Sequence, residues 1–322
     1  MKRSIPLLAI IIISSCLCST TFYFGMGFGG LVEVSLNDYE WKVRILPVPS
    51  LSSGGVFAGG LIFNVLRDRG FAVLPANQQE KLSVVDTFHC EAIDVDVERL
   101  EVFVADGTLG LKVFKFYGPL FYRHVQTIPL KGWTNSVSYC NDYVLVGSEL
   151  DGLFVVRRGD SGFELIDQIH PRYINDLESG LTINAVAVSK GAFYVAAANK
   201  GVLIFEISTF GLEERQGIPV GYAMDVAVLD GEVFVVDSLG SRILIYDESD
   251  HTLKESLEVE RPLRELVPIF DWRQGRKLLL CRFDDSVSVI DKETFQEVFS
   301  LKGSFFGIIE PRYLFGYPFR EE

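Results

Sequence analysis

The sequence lacks the patterns of a helical or nucleic-acid-binding protein. No long stretch repeats apolar residues at i, i+3, i+4 and i+7, so amphipathic helices are not predicted. No run of five or more Lys or Arg occurs, and the formal net charge is -13. An acidic surface repels phosphate backbones, so we expect no nucleic-acid partner.

Motifs that carry known chemistry are also missing. The sequence has no G-x-S-x-G elbow, no H-E-x-x-H helix and no Walker A loop. Its 4 histidines and 5 cysteines do not fall into metal-site spacings, and the cysteines are expected to be structural. No cofactor is therefore assigned, and the sequence leans away from an enzyme without excluding one.

The first residues carry an export signal. Lys2 and Arg3 precede an apolar run over residues 5–13, and small residues then lead to Cys16. The tetrad at 13–16 resembles the bacterial lipobox, in which cleavage leaves a lipid-modified cysteine. That resemblance implies that residues 1–15 are removed and that Cys16 is lipidated.

Two other interpretations of this segment remain open. Residues 4–32 contain no charged side chain, so they could form an uncleaved signal anchor with Lys2 and Arg3 held inside. Simple secretion, without an anchor, is the third interpretation of the segment. All three predict a folded part outside the cytoplasm, in the periplasm or on the cell surface. The lipid anchor and the signal anchor also attach it to the membrane through its N-terminus.

The remaining chain is organised as β-rich repeats. Residues 92–116, 185–207 and 225–247 share one pattern: a short alternating strand, a tight polar turn, a second strand and a third. Weaker copies cover 60–87, 136–158 and 266–291. The copies recur about every 40 residues, which is the length of a four-stranded propeller blade.

These repeats predict an all-β protein with a single β-propeller over residues 31–322. Counting the second strands, with the last near Phe315, gives seven blades; a six-bladed ring is the alternative. The chain ends before the last blade is complete, so we expect the strand-like N-terminal segment 31–46 to complete it and to close the ring. Closure removes exposed strand edges.

The best copies resemble the LVIVD repeat family. The matching segments are 225–228 (DVAV), 233–240 (VFVVDSLG) and 243–247 (ILIYD), and they are also similar to NHL repeats. The resemblance implies a propeller and often a cell-surface or periplasmic location. It implies no particular activity, because propellers carry many functions.

Polar residues cluster where a propeller binds ligands, at the mouth of its central channel. Candidate ligand-binding residues lie in loops that enter the innermost strands or follow the second strands: His89, Glu91, Asp94, Asn135, Asn184, Asp225, Asp237, Arg264 and Glu265. Converging carboxylates could bind a cation such as Ca²⁺. Asp and Asn are equally expected in such loops because they satisfy turn backbone groups.

Two functions follow from this sequence. The first is a membrane-anchored binding or scaffold module for an envelope protein or a small ligand. The alternative is a hydrolase or lyase at the channel mouth, with or without a divalent metal.

Overall fold

The structure is a computed structural model that describes residues 20–37, 40–76, 82–118, 121–169, 182–208, 211–271 and 274–312. Every regular element in these ranges is a β-strand, numbered here β1 to β28. No helix with the length and apolar character to span a membrane occurs in these ranges.

The strands form seven four-stranded antiparallel blades. The outer three strands of blade 7 come first, as β1 (Thr20–Gly25), β2 (Leu31–Asn37) and β3 (Glu40–Leu46). Blade 1 contains β4 (Gly55–Ala58), β5 (Leu61–Val65), β6 (Phe71–Pro75) and β7 (Ser83–Val85). Blade 2 contains β8 (Ala92–Asp96), β9 (Glu101–Ala105), β10 (Leu111–Gly118) and β11 (Phe121–Ile128). Blade 3 contains β12 (Thr134–Cys140), β13 (Tyr143–Ser148), β14 (Gly152–Gly159) and β15 (Gly162–Ile169).

The second half of the chain continues the same order. Blade 4 contains β16 (Ala185–Ser189), β17 (Ala192–Ala196), β18 (Val202–Ser208) and β19 (Gly211–Ile218). Blade 5 contains β20 (Ala223–Leu229), β21 (Glu232–Asp237), β22 (Arg242–Asp247) and β23 (Leu253–Glu258). Blade 6 contains β24 (Leu263–Asp271), β25 (Arg276–Phe283), β26 (Ser286–Asp291) and β27 (Glu297–Lys302). The innermost strand of blade 7 is β28 (Gly307–Arg312).

The ring closes through the two ends of the chain. Strand β28 pairs antiparallel with β1, where Phe24 faces Ile308, and parallel with β4, where Glu310 faces Val56. These pairs join blades 7 and 1 into one 8-stranded sheet. The all-β fold and the seven-bladed, N-terminally closed ring are confirmed, and the six-bladed alternative is wrong.

The details of the closure differ from the prediction. The propeller begins at Thr20 rather than at residue 31, because β1 is the second strand of blade 7. The C-terminal side supplies one described strand, and the N-terminal side supplies three. Phe315, Cys16 and residues 1–19 lie outside the described residues.

Apolar packing between neighbouring blades holds the ring together. The described residues form seven buried hydrophobic clusters, and each cluster combines side chains from two adjacent blades. The second strands β13 and β21 are buried at every position, whereas the outer strand β11 is mostly exposed. Burying one Phe or Leu contributes about 2 kcal/mol, so each seam is stabilised largely by these side chains.

The strand directions define two faces of the ring. Each innermost strand starts on one face, which we call the mouth face; it also carries the loops that join second to third strands. The opposite face, the base face, carries the turns that join first to second and third to fourth strands. Since β1 is a second strand, Thr20 starts on the base face and Gly25 ends on the mouth face.

In four blades a recurring turn on the mouth face contacts the following blade. In blades 7, 1, 2 and 4, the second residue after the second strand makes an isolated bridge to the start of the following blade. The bridging residues have positive φ and are Gly27, Arg67, Gly107 and Ala198. Each turn ends three residues later in a glycine of positive φ: Gly30, Gly70, Gly110 and Gly201.

Candidate functional site

A polar cavity of about 440 Å³ lies on the ring axis, and the innermost strands of all seven blades line it. Six of the predicted ligand-binding residues border this cavity: Glu91, Asn135, Asn184, Asp225, Arg264 and Glu265. His89, Asp94 and Asp237 are not among its lining residues. Glu91 and Asn184 lie in entry loops, whereas the other four belong to the innermost strands themselves. The capacity of these six residues to bind a ligand stays a prediction.

Paired charges surround the cavity on its mouth side. The Arg282 Nε lies 2.9 Å from a carboxylate oxygen of Glu265. Arg264 binds Asp284 through two contacts of 2.7 and 3.1 Å. These arginines could orient an anionic group of a ligand, but each is already paired with a carboxylate of the protein.

Glu91 is the centre of a second group at the mouth. Its carboxylate is paired with Arg67, accepts a hydrogen bond from Trp133 Nε1 at 3.0 Å, and lies 3.1 Å from His89 Nε2. The His89 and Trp133 rings are 5.0 Å apart. His89 thus packs beside the mouth and positions Glu91 instead of lining the cavity.

The predicted carboxylates bridge successive innermost strands. One oxygen of Asp94 accepts a hydrogen bond from Val95 N, and the other accepts one from Tyr139 N of blade 3 at 2.8 Å. Asp225 repeats this arrangement three seams away, with Val226 N at 2.9 Å and Leu266 N of blade 6 at 2.7 Å.

Three more seams are bridged by polar side chains. Asn135 Nδ2 donates to Ile183 O at 3.0 Å, and Asn184 Nδ2 donates to Ala223 O at 2.8 Å. Glu265 accepts from Ile308 N of blade 7 at 3.1 Å. Five of the nine candidates therefore join one blade to the next, which is a structural use of the polar side chain.

Burial perturbs the carboxyl group of Asp225 at the cavity. Burial, reinforced by the negative charge of Glu265, raises the pKa of Asp225 well above its ordinary value despite the two backbone hydrogen bonds. A raised carboxyl pKa is one property of a general acid. Both of its oxygens are already engaged by backbone N–H groups.

Asp237 has a local structural role. It is 1% exposed and accepts hydrogen bonds from Tyr222 N at 3.3 Å and Gly240 N at 3.2 Å. Arg242 Nε adds a contact of 3.0 Å. The carboxylate therefore shapes the turn after β21 and does not point into the cavity. Among the described residues, no group of three His, Cys, Asp or Glu side chains could hold a metal ion.

An apolar surface surrounds the mouth, and it was not predicted from the sequence. Large hydrophobic side chains protrude from mouth-face loops, and we call this set the apolar crown: Phe28, Phe88, Leu109, Leu150, Leu239 and Phe306. Their exposed fractions reach 86% for Phe28 and 74% for Leu239. The sequence does contain a pattern that indicates this surface. Four of the six hydrophobic residues occupy turns that otherwise contain mainly Gly, Ser, Thr, Glu or Asp.

Comparisons with known proteins support the fold and nothing finer. No protein-family model and no curated protein sequence matches the chain. A solved protein from Lactobacillus plantarum is 13% identical, with a TM-score of 0.68 over 90% of this chain and 99% of that chain. Sqt1 from Saccharomyces cerevisiae is 10% identical, with a TM-score of 0.59 over 82% of this chain and 79% of that one.

A third similar structure is apo AztD from Citrobacter koseri. It is 10% identical, with a TM-score of 0.54 over 90% of this chain and 96% of that chain. At such low identity these likenesses show a common β-propeller architecture only. The fold is compatible with a binding or scaffold module.

Proposed function

We propose that this chain is an exported, membrane-anchored propeller that binds an envelope protein through its mouth face. The apolar crown carries the proposal, because exposed hydrophobic side chains collected around a polar centre are typical of protein-binding surfaces. The LVIVD-like and NHL-like repeats are consistent with this role but specify no partner.

The direction of the first strand supports the orientation of the molecule. Strand β1 starts at Thr20 on the base face. With Cys16 lipidated, the chain from that residue to Thr20 spans at most about 14 Å. The base face would then lie beside the membrane, and the crown would point away from it. An uncleaved signal anchor would have to end before Thr20 and not at residue 32, because Thr20–Gly25 forms β1 and Leu31–Asn37 forms β2. It would then enter the same strand and give the same orientation.

The alternative of a hydrolase or lyase rests on the raised pKa of Asp225 in the axial cavity. One Asp225 oxygen accepts a hydrogen bond from Val226 N of its own strand, and the other accepts one from Leu266 N of blade 6. The carboxylate of Glu265 accepts one from Ile308 N of blade 7. A binding role requires no rearrangement of these bonds, and for that reason we favour it.

In-cell photo-cross-linking tests the proposal. A photoreactive phenylalanine analogue at Leu239 in the crown should form a reproducible adduct with an envelope protein. The same analogue at Leu253, which is 54% exposed on the outer strand β23, is the matched control and should not. A Leu150→Ser substitution should weaken the adduct. Identical adducts from both positions, or none from Leu239, would contradict crown-mediated binding.

A further inference from the structure

The hairpin between β10 and β11 presents bare aromatic side chains on the base face. Phe121 is 73% exposed, Tyr117 is 66% exposed and Tyr122 is 39% exposed. We call these three residues the aromatic hairpin. Tyr122 stacks on Phe116 at 5.6 Å, whereas Tyr117 and Phe121 extend into solvent at the hairpin end.

This hairpin also differs from the others in charge. In the six other blades, the sequence from the start of the third strand to the end of the fourth contains at least one Asp or Glu. Residues 111–128 of blade 2 contain none, and they include Lys112, Lys115 and Arg123. Lys112 pairs with Asp106, and Lys115 Nζ lies 4.0 Å from a carboxylate oxygen of Glu101. Arg123, exposed on the outer strand β11, therefore supplies the basic charge of this hairpin in a chain of net charge -13.

The aromatic hairpin and the entry of the chain share one face. Its turn joins a third to a fourth strand, so it lies on the base face, where β1 begins at Thr20. Upstream of Thr20, residues 4–19 contain no charged side chain. A membrane segment or lipid attached there brings this face close to the bilayer surface.

From these observations we propose that the aromatic hairpin inserts into the lipid headgroup region, as a second contact beside the N-terminal anchor. The inference rests on the proposed membrane anchoring. Tyr and Phe rings favour the interface between water and hydrocarbon, and a nearby Arg attracts anionic headgroups. With the N-terminal anchor alone, the propeller can rotate about its point of attachment at blade 7. A second membrane contact on blade 2, which is separated from blade 7 by blade 1, limits that rotation. The two contacts together direct the crown away from the membrane.

Fluorescence quenching by lipid tests the contact with the full chain. Phe121→Trp and Leu239→Trp place the probe at positions of nearly equal exposure, 73% and 74%, on opposite faces. The chain is purified from membranes and reconstituted into phosphatidylcholine–phosphatidylglycerol vesicles that contain brominated phosphatidylcholine. The wild-type emission of its 3 tryptophans is subtracted. We expect a blue shift and quenching at position 121 and neither change at position 239.

Each other outcome overturns a defined part of the account. Vesicle flotation without quenching at position 121 rejects the hairpin contact alone. A blue shift at 121 that brominated lipid does not quench indicates contact with protein, and it also rejects the lipid contact. Equal quenching at both positions rejects the orientation. Failure of the wild-type chain to float with the vesicles rejects both the anchor and the hairpin contact.

Discussion

Gly201 closes the mouth-face turn of blade 4 in a position that no side chain can occupy. Its φ is +77°, and a Cβ there would lie 2.4 Å from Ile218 O. Gly231 has a similar φ of +74°, yet a Cβ would meet nothing within 4 Å. Substituting each glycine by alanine therefore distinguishes two contributions to the free energy of unfolding: the strain of a left-handed backbone, and the steric clash of a Cβ with main-chain atoms.

We predict that Gly201→Ala lowers the free energy of unfolding by about 3 kcal/mol, because backbone strain and a clash with main-chain atoms add. Gly231→Ala should lower it by about 1 kcal/mol, from the left-handed conformation alone. Urea unfolding of both variants and of the wild type measures the difference. Equal losses would show that Ile218 moves aside without cost.

Asp106 links pH to the stability of the mouth. It is fully buried, and it accepts hydrogen bonds from His89 N at 2.7 Å and from Lys112 Nζ at 2.6 Å. Burial acts to raise the pKa of Asp106, but the bonds from Lys112, Thr87 and His89 outweigh it and hold the pKa below its ordinary value. A lowered pKa stabilises the fold above the unfolded-state pKa of about 3.9, and this stabilisation is lost as the pH falls towards the folded-state pKa.

Replacing Asp106 by Asn should therefore destabilise the protein by about 3 kcal/mol at pH 7, since Lys112 is left without its carboxylate. The difference from wild type should shrink as the pH is lowered below about 4. Asp68→Asn, at an exposed turn position, is the control and should change stability by less than about 0.5 kcal/mol. Thermal melts across pH 3–7 provide the test; a difference that is constant with pH would contradict the role assigned to the ionised group.

Single residues were harder to interpret from sequence than strands were. Asn135, Asn184 and Asp225 lie around the axis because their positions follow from the repeat, although Asn135 and Asp225 belong to strands β12 and β20 and not to loops. Their partners are main-chain atoms of the following blade, such as Ile183 O and Leu266 N, and no local pattern specifies those. A turn-stabilising Asp and a ligand-binding Asp therefore look alike in the sequence.

At the scale of elements, the outer strands show how the ring protects its edges. The fourth strands of blades 2 to 6 each contain a shift in register against their neighbour. Such bulges twist an edge and hinder pairing with another chain. Strand β3 pairs with β2 without a shift, and its edge carries Lys42 and Arg44 as exposed charges.

The polar bonds between successive blades should add to the apolar stabilisation of the seams that contain them. Asn184→Leu removes the hydrogen bond to Ala223 O and should lower the free energy of unfolding by about 1–2 kcal/mol. Asn199→Leu, in an exposed turn of the same blade, is the matched control. Hydrogen exchange should speed up in β16 and β20 for the first variant only. Unchanged exchange in β20 would mean that apolar packing alone holds the seam.

Strands bounded by polar turns were predictable, whereas the strand that continues the N-terminal apolar segment was not. The repeats at 185–207 and 225–247 fall on β16 to β18 and β20 to β22, because each combines alternation with polar turns. Strand β1 was missed, since TTFYFG continues an uncharged apolar segment and periodicity cannot separate a buried strand from an anchor there.

At the scale of the whole molecule, closure couples the two ends of the chain. Blade 7 contains one strand from the C-terminal side and three from the N-terminal side, so neither end can form the blade alone. Its cluster with blade 6 includes Phe24, Val34 and Ile308. Blade 7 therefore buries its apolar side chains only after both ends have assembled, and its formation depends on contacts distant in sequence.

A cysteine pair at positions 24 and 308 tests the closed ring most directly. Residues facing each other in an antiparallel pair have Cα atoms about 4.5–5.5 Å apart, which a disulfide can bridge. The Phe24→Cys/Ile308→Cys variant, oxidised in its folded state, should yield a disulfide-linked peptide joining the N- and C-terminal regions by mass spectrometry. The Phe24→Cys/Val287→Cys pair, in the same cluster but on strands that do not pair, should not. Absence of the 24–308 link in folded protein would contradict the ring closure on which the account depends.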